Sequence, residues 1–392
     1  MDTPVVVNRP GVRTLVRALA DSKIREVANP FMADPEIIRL WFGEPDLPTP
    51  AFICEAAAKA MAAGKTYYVP SLGVPELRQE IAAYQSALKG RPIGPERIVV
   101  TASGMSAIQL VVQLLVDPGD TVLTTSPLWP NISEASRLAG AKVELIELAV
   151  KDGRWSLDMQ ALADAVARRP KALFINSPCN PTGWMMTAEE QRATLELCRK
   201  HGVWLLVDEV YERITFDRDR APSVLSIAEP EDRVIGINSF SKNWSMTGWR
   251  LGWLVVPADV TDDLAKLTEF NTASAASFVQ WAGITAIRDG EPFVARQVER
   301  LRQGRDIVHQ RLAAHPRIRI SKPEGALYAF FAVEGMTDSL AFATRLAGGH
   351  KVGLAPGVAF GPGGEGHLRL CFASEVETLS RALDRLEVAL GR

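Results

Sequence analysis

The residues with the clearest chemical potential lie in one stretch, Asn238 to Trp253, reading Asn-Ser-Phe-Ser-Lys-Asn-Trp-Ser-Met-Thr-Gly-Trp-Arg-Leu-Gly-Trp. Lys242 stands at the end of an apolar run, with hydroxyls at Ser239 and Ser241 before it. Arg250 follows past Thr247-Gly248, where the chain can turn tightly. A lysine in a partly dry pocket can lose its proton near neutral pH and condense with a carbonyl. Two serines and an arginine suit the oxygens of a phosphate. The competing reading is a plain loop with a solvated lysine and a surface arginine, and so short a motif does not choose between them.

One small molecule that carries both a carbonyl and a phosphate is pyridoxal 5′-phosphate, and the rest of the chain can be asked whether it would hold it. From Ile98 onward, β-rich runs alternate with helical patterns. The runs are Ile98–Thr101, Thr121–Thr124, Val143–Leu148, Ala172–Asn176, Trp204–Val207 and Val234–Asn238. Continuous apolar strands separated by helices predict an α/β domain, with a mostly parallel central sheet covered by helices. In such sheets ligands sit beyond the carboxyl ends of the strands, and the unusual residues fall there. Ser103-Gly104-Met105 opens a helix after the first strand, as a phosphate cradle or as a plain N-cap. Trp129 follows the second, placed to stack on a flat ring or to fill a core. After the fourth, Asn180 lies in Asn-Ser-Pro-Cys-Asn-Pro-Thr-Gly, a proline-stiffened turn that would fix a side-chain amide. Asp208 ends the buried fifth strand and needs a partner such as a protonated pyridine nitrogen, with Tyr211 within reach of a ring oxygen.

Composition removes other classes. The 392 residues include 47% apolar types, enough for two domains with sizeable cores. With 44 basic and 46 acidic residues the formal charge is −2, and no basic tract alternates with aromatics, so nucleic acid is not an expected partner. Four scattered cysteines and five unclustered histidines give no metal spacing; the cysteines read as buried small apolar residues. No signal-peptide pattern and no apolar run of membrane length is present, so a soluble, cytoplasmic protein is expected.

Five segments carry a family resemblance. Gly-Glu-Pro-Asp-Leu-Pro-Thr-Pro from Gly43, Tyr-Val-Pro-Ser-Leu-Gly-Val-Pro-Glu-Leu-Arg from Tyr68, the Asn176–Gly183 turn, Asp-Glu-Val-Tyr from Asp208 and the lysine segment resemble the class I/II aminotransferases of pyridoxal-phosphate fold type I. The likeness runs from about Ser22 to the C-terminus. It implies a Schiff-base and proton-carrying role for Lys242, a pyridine-nitrogen partner in Asp208, and ring-oxygen donors in Asn180 and Tyr211. Ser103, Gly104, Met105, Ser239 and Arg250 would hold the phosphate, and Trp129 would stack on the ring. Tyr68 would reach the phosphate of a neighbouring subunit, implying a homodimer with shared active sites, though its segment also reads as an ordinary loop. Arg369, in His367–Ala373, would grip the substrate carboxylate, with Gly43 lending a backbone N–H and Asn180 adjoining.

The reaction so implied is transfer of an amino group from an L-amino acid to a 2-oxo acid in two halves. Met105 stands where some relatives that handle dicarboxylic substrates carry Lys, which points to a donor with a neutral or apolar side chain. Relatives with the same motifs catalyse carbon–sulfur lysis or other eliminations, and a non-catalytic pyridoxal-phosphate-binding regulator is a third reading. A large cofactor domain is expected over residues 48–290. A smaller α+β domain is expected from residues 1–47 and 291–392.

Overall fold

The computed structural model describes residues 11–391; residues 1–10 and 392 of the expected small domain lie outside that range. Seven strands form the central sheet: β1 (Ile98–Thr101), β2 (Thr121–Ser126), β3 (Lys142–Glu147), β4 (Ala172–Asn176), β5 (Trp204–Asp208), β6 (Val234–Ser239) and β7 (Gly252–Val255). Their order is β1-β7-β6-β5-β4-β2-β3. Pairs from β6 through β3 are parallel, and β7 runs antiparallel to both β6 and β1. All residues of β1, β4 and β6 are buried, as continuous apolar strands sandwiched between helices must be.

The strand β7 is a correction, since the sequence reading ended the sheet at Asn238. Gly-Trp-Leu-Val looked like the tail of the lysine motif, yet it inserts between β1 and β6. Gly252 makes the insertion possible, because a Cβ there would lie 2.8 Å from both the Asn238 carbonyl oxygen and the Gly104 nitrogen. The loops after β1 and β6 are thereby held side by side. Ahead of the sheet, the segment 13–28 forms two short helices, Thr14–Arg17 and Lys23–Ala28. Ser22 starts the second piece, its Oγ accepting from the Arg25 N–H at 3.4 Å.

Local chemistry sets the other helices. Thr187 and Glu190 form a reciprocal capping box before Ala188–His201, and Gly202 ends it in the left-handed conformation (φ 71°). Pro75 opens and Gly90 closes the helix Pro75–Lys89. Beyond Glu291 a 23-residue helix, Glu291–Ala313, leads to a four-stranded antiparallel sheet. Its strands are β8 (Ile318–Ile320), β9 (Tyr328–Val333), β10 (Ala355–Pro356) and β11 (His367–Cys371), in the order β8-β9-β11-β10. Residues Ile38–Arg39 pair in parallel with Val352–Gly353, and helix Lys23–Ala28 packs on helix Ser339–His350. Three of the cysteines are buried as expected, but Cys54 is exposed, on the outer face of helix Ala51–Ala62. Among the described residues no helix is long and apolar enough to cross a membrane.

Candidate active site

Strand ends β1, β4, β5 and β6 open on one cavity of about 480 Å³, closed from above by residues of the N-terminal segment, β9 and β11. Gly43, Gly104, Met105, Trp129, Asn180, Asp208, Tyr211, Ser239, Lys242, Arg250 and Arg369 all contribute to its wall. Two expected residues do not. Ser103 is buried and its Oγ caps the helix Gly104–Leu115, accepting from the Ser106 N–H at 2.9 Å. Its place is behind the first helical N–H groups, those of Gly104 and Met105, which have no intrahelical acceptor. Tyr68 is 93% exposed, away from this cavity.

The cavity floor is the junction of β4 and β5. Asn176 and Asp208 are register partners there. The Asn176 side chain donates to the Asp208 carbonyl at 3.1 Å and accepts from the Asn180 N–H at 2.8 Å. That one amide, quoted in a motif but given no role from sequence, ties the Asn180 loop to the aspartate. The Asp208 carboxylate accepts from the Val210 N–H at 3.2 Å and has no cationic partner within ion-pair distance among the described residues. Burial pushes it up to about 7.

Lys242 sits in the short helix Phe240–Asn243 that follows β6. Phe240 packs against Trp244 and Trp253, ring centroids 5.1 and 5.0 Å away, and anchors that turn in the core. Gln297 of the long helix donates to the Lys242 carbonyl at 2.6 Å and fixes its backbone. The half-buried side chain turns into the cavity, where Nζ donates to the Gly43 carbonyl and lies 6.0 Å from the Tyr211 ring centroid. Burial lowers this amine to about 8, a shift that no neighbouring carboxylate reverses. Asp208 and Lys242 therefore face one small space, each without a salt-bridge partner among the described residues.

Arg250 adopts a left-handed conformation (φ 55°) and its Nη1 donates to the Thr247 carbonyl at 2.6 Å. With the Ser239 and Ser241 hydroxyls, which bond each other at 2.9 Å, and the open N–H groups of Gly104 and Met105, it completes a donor set for an anion. At the opposite wall Arg369 is 2% exposed yet has no carboxylate partner among the described residues. Its Nη1 donates to Asn180 Oδ1 at 2.9 Å, its Nη2 donates to the Trp41 carbonyl, and its Nε is buried with no acceptor. The guanidinium lies 4.4 Å above the Tyr328 ring. Tyr328, which sequence reading passed over inside an apolar strand, places its hydroxyl 2.7 Å from that of Tyr211. Asn131 and Phe42 also line the cavity unforeseen, and Asn131 donates to the Met105 sulfur at 2.8 Å.

Anion donors at one end, an unpaired buried carboxylate at the floor, a depressed lysine between them and an unpaired arginine opposite fit pyridoxal phosphate with a substrate carboxylate beside it. Comparison with known proteins agrees. The sequence model of the family "Aminotransferase class I and II" matches residues 35–386. The chain is 34% identical over 372 residues to an aspartate aminotransferase of Pyrococcus horikoshii, covering 94% of each. It is 34% identical over 352 residues to an arginine–pyruvate transaminase of Pseudomonas aeruginosa, 90% of this chain and 89% of that one. Among solved structures, an alanine aminotransferase from Pyrococcus furiosus superposes with a TM-score of 0.90 at 27% identity, covering 97% of this chain and 99% of that one.

The chain belongs to the class I and II aminotransferases. It is a pyridoxal-phosphate-dependent enzyme of fold type I that moves an amino group between an amino acid and a 2-oxo acid, and the eliminating and regulatory readings are not favoured.

Proposed function

We propose that the cavity residues divide the reaction as their positions suggest, and that the amino donor carries a neutral or apolar side chain. The observation that carries the assignment is the pair of unmatched charges, Asp208 and Arg369, on either side of a lysine of lowered basicity. When bound, pyridoxal phosphate supplies an electron sink for the α-carbon of the substrate. Ser239, Arg250 and the Gly104 and Met105 N–H groups would hold its phosphate, with Ser103 acting through the helix it caps. Trp129 would cover one ring face, and Asn180 and Tyr211 would donate to the ring oxygen. Asp208 would pair with the pyridine nitrogen; the raised carboxyl marks how poorly the site tolerates that charge alone.

Arg369 would take the substrate carboxylate through two parallel hydrogen bonds, with the Gly43 N–H beside it, which orients the α-carbon toward Lys242. Lys242 Nζ, as a free neutral amine, would lift the α-proton and return it on the far side of the exchange. A base so positioned is worth roughly 10²–10⁴-fold in rate. Sodium borohydride treatment of the purified enzyme tests this, since reduction would fix the cofactor on the Lys242 peptide.

Donor preference rests on the outer wall, where Met105, Ile108, Ile24 and Phe42 meet. Arg25, exposed at the rim with its guanidinium 5.6 Å from the Phe42 ring centre, favours a second reading, an acidic donor. A scan of amino donors against pyruvate and 2-oxoglutarate separates the two. Neutral donors ahead support the first reading, and aspartate or glutamate far ahead supports the second.

The exposed Tyr68 supports a homodimer in which each copy lends this residue to the phosphate site of the other. The division into a large domain over 48–290 and a small one from 1–47 and 291–392 is supported by the N-terminal strand Ile38–Arg39, which pairs with the C-terminal part of the chain. The lack of a membrane-length helix among the described residues fits a cytoplasmic location.

A further inference from the structure

We propose that Tyr328 is a positioning residue that commits the Tyr211 proton to the ring oxygen, by donating its own proton to Tyr211. This rests on the reading of Tyr211 as a donor to the bound cofactor, and it follows from counting protons. A phenol has one proton to give and lone pairs to receive. The two hydroxyls are 2.7 Å apart on largely buried residues, Tyr211 4% and Tyr328 1% exposed. Taken as a pair, either could donate. An ionised ring oxygen only accepts, so when Tyr211 spends its proton there, the Tyr211 oxygen must receive from Tyr328.

Three contacts fix Tyr328 for that task. Its strand pairs with β11, where Tyr328 stands opposite Cys371, so the ring is carried by the same sheet as Arg369. The Arg369 guanidinium 4.4 Å above the ring favours electron density on the phenol and makes its proton easier to give. On the other side Gly43 closes against the hydroxyl, where any Cβ would collide with it. Tyr328 thus joins the carboxylate-gripping arginine to the ring-oxygen donor in one chain of polar contacts. Hydrogen bonds in such a chain polarise one another, with strengthening of about 10–30% per bond.

The test is the pH midpoint of the visible absorbance transition of the holoenzyme. A hydrogen bond to an anionic oxygen favours the more anionic form of the chromophore, so weakening that bond raises the midpoint. Tyr211→Phe removes the bond and should raise the midpoint by about 1–2 pH units, the size of a charge-assisted hydrogen bond. Tyr328→Phe, which keeps the ring over Arg369, should raise it by a smaller step in the same direction, roughly 10–30% of the first. The double variant should match Tyr211→Phe alone, because Tyr328 acts only through Tyr211. If Tyr211→Phe leaves the midpoint in place, the donor reading fails and takes this proposal with it. If Tyr211→Phe moves the midpoint but Tyr328→Phe does not, or if the Tyr328 step persists in the Tyr211→Phe background, this proposal alone is overturned.

Discussion

Lys89 ends the helix Pro75–Lys89 with its Nζ between two carboxylates, Glu209 at 2.8 Å and Glu212 still closer, whereas the Lys242 amine donates to the backbone carbonyl of Gly43 and forms no ion pair among the described residues. Burial alone would lower both ammonium groups. At Lys89 the charges of Glu209 and Glu212 outweigh burial and hold the group above the ordinary lysine value, while Lys242 falls to about 8. One lysine is kept charged within an ion-pair cluster; the other, under the proposed function, is left free to act as nucleophile and base. The two regions are joined by five residues of chain. Along 208–212, Asp208, Val210 and Tyr211 face the cavity, and Glu209 and Glu212 face Lys89. Ser223 donates to Glu209 at 2.6 Å and Gln85 to Glu212 at 3.2 Å, so that the paired side holds the reactive side in position. Burial depresses both amines, and only where a counter-charge is withheld, at Lys242, does that depression stand.

Substitution of each amine in turn separates the two roles. Lys242→Ala should remove turnover, a fall of at least about 10²–10⁴-fold in kcat, in a variant that still folds. Lys89→Met should do the reverse. Two carboxylates left buried without their cation cost about 3–5 kcal/mol of stability, measured by urea denaturation. The residual folded enzyme should still bind cofactor covalently. If Lys89→Met leaves stability untouched, the cluster is not the brace described. Arg369→Lys comes next. It keeps the charge but loses the fork that matches a carboxylate, and kcat/KM should fall by roughly 10–100-fold with the cofactor still bound.

The smallest effect expected is in pH. Lys242 is neutral above about 8, so capture of cofactor by the apoenzyme should rise by about tenfold between pH 7 and 9 and then level. The sign for stability follows from the same depression. Between about 8 and the ordinary lysine value of 10.5 the unfolded chain binds the proton and the folded one does not, so stability from this group rises with pH across that window. Lys242→Met should lose that rise, and a slope that survives the substitution would assign it elsewhere.

Much of this was readable in the sequence where chemistry and local structure coincide. Asp208 ends an apolar strand, Lys242 follows another, and Asn180 is held in a proline-rich turn, so each declares itself within a few residues. The alternation of strands and helices likewise exposed the parallel sheet. What stayed hidden depends on partners far along the chain. Lys89 looks like a solvated last-turn residue, and only the approach of Glu209, 120 positions later, shows it to be 6% exposed. Tyr328 is one apolar-looking member of a buried strand until Tyr211 comes within 2.7 Å. Strand β7 was concealed because its fit between β1 and β6 depends on a bare Cα at Gly252, a matter of packing that periodicity does not carry. Ser103 shows the opposite case, where two local readings were available and the plainer one, the helix cap, describes its side chain.

Peptide mapping of the borohydride-reduced holoenzyme tests directly whether Lys242 is the lysine that holds the cofactor. One modified tryptic peptide is expected, bearing the cofactor mass on Lys242, with Lys89 unmodified. A cofactor fixed at any other lysine, or a fully active enzyme in which reduction fixes none, would contradict it.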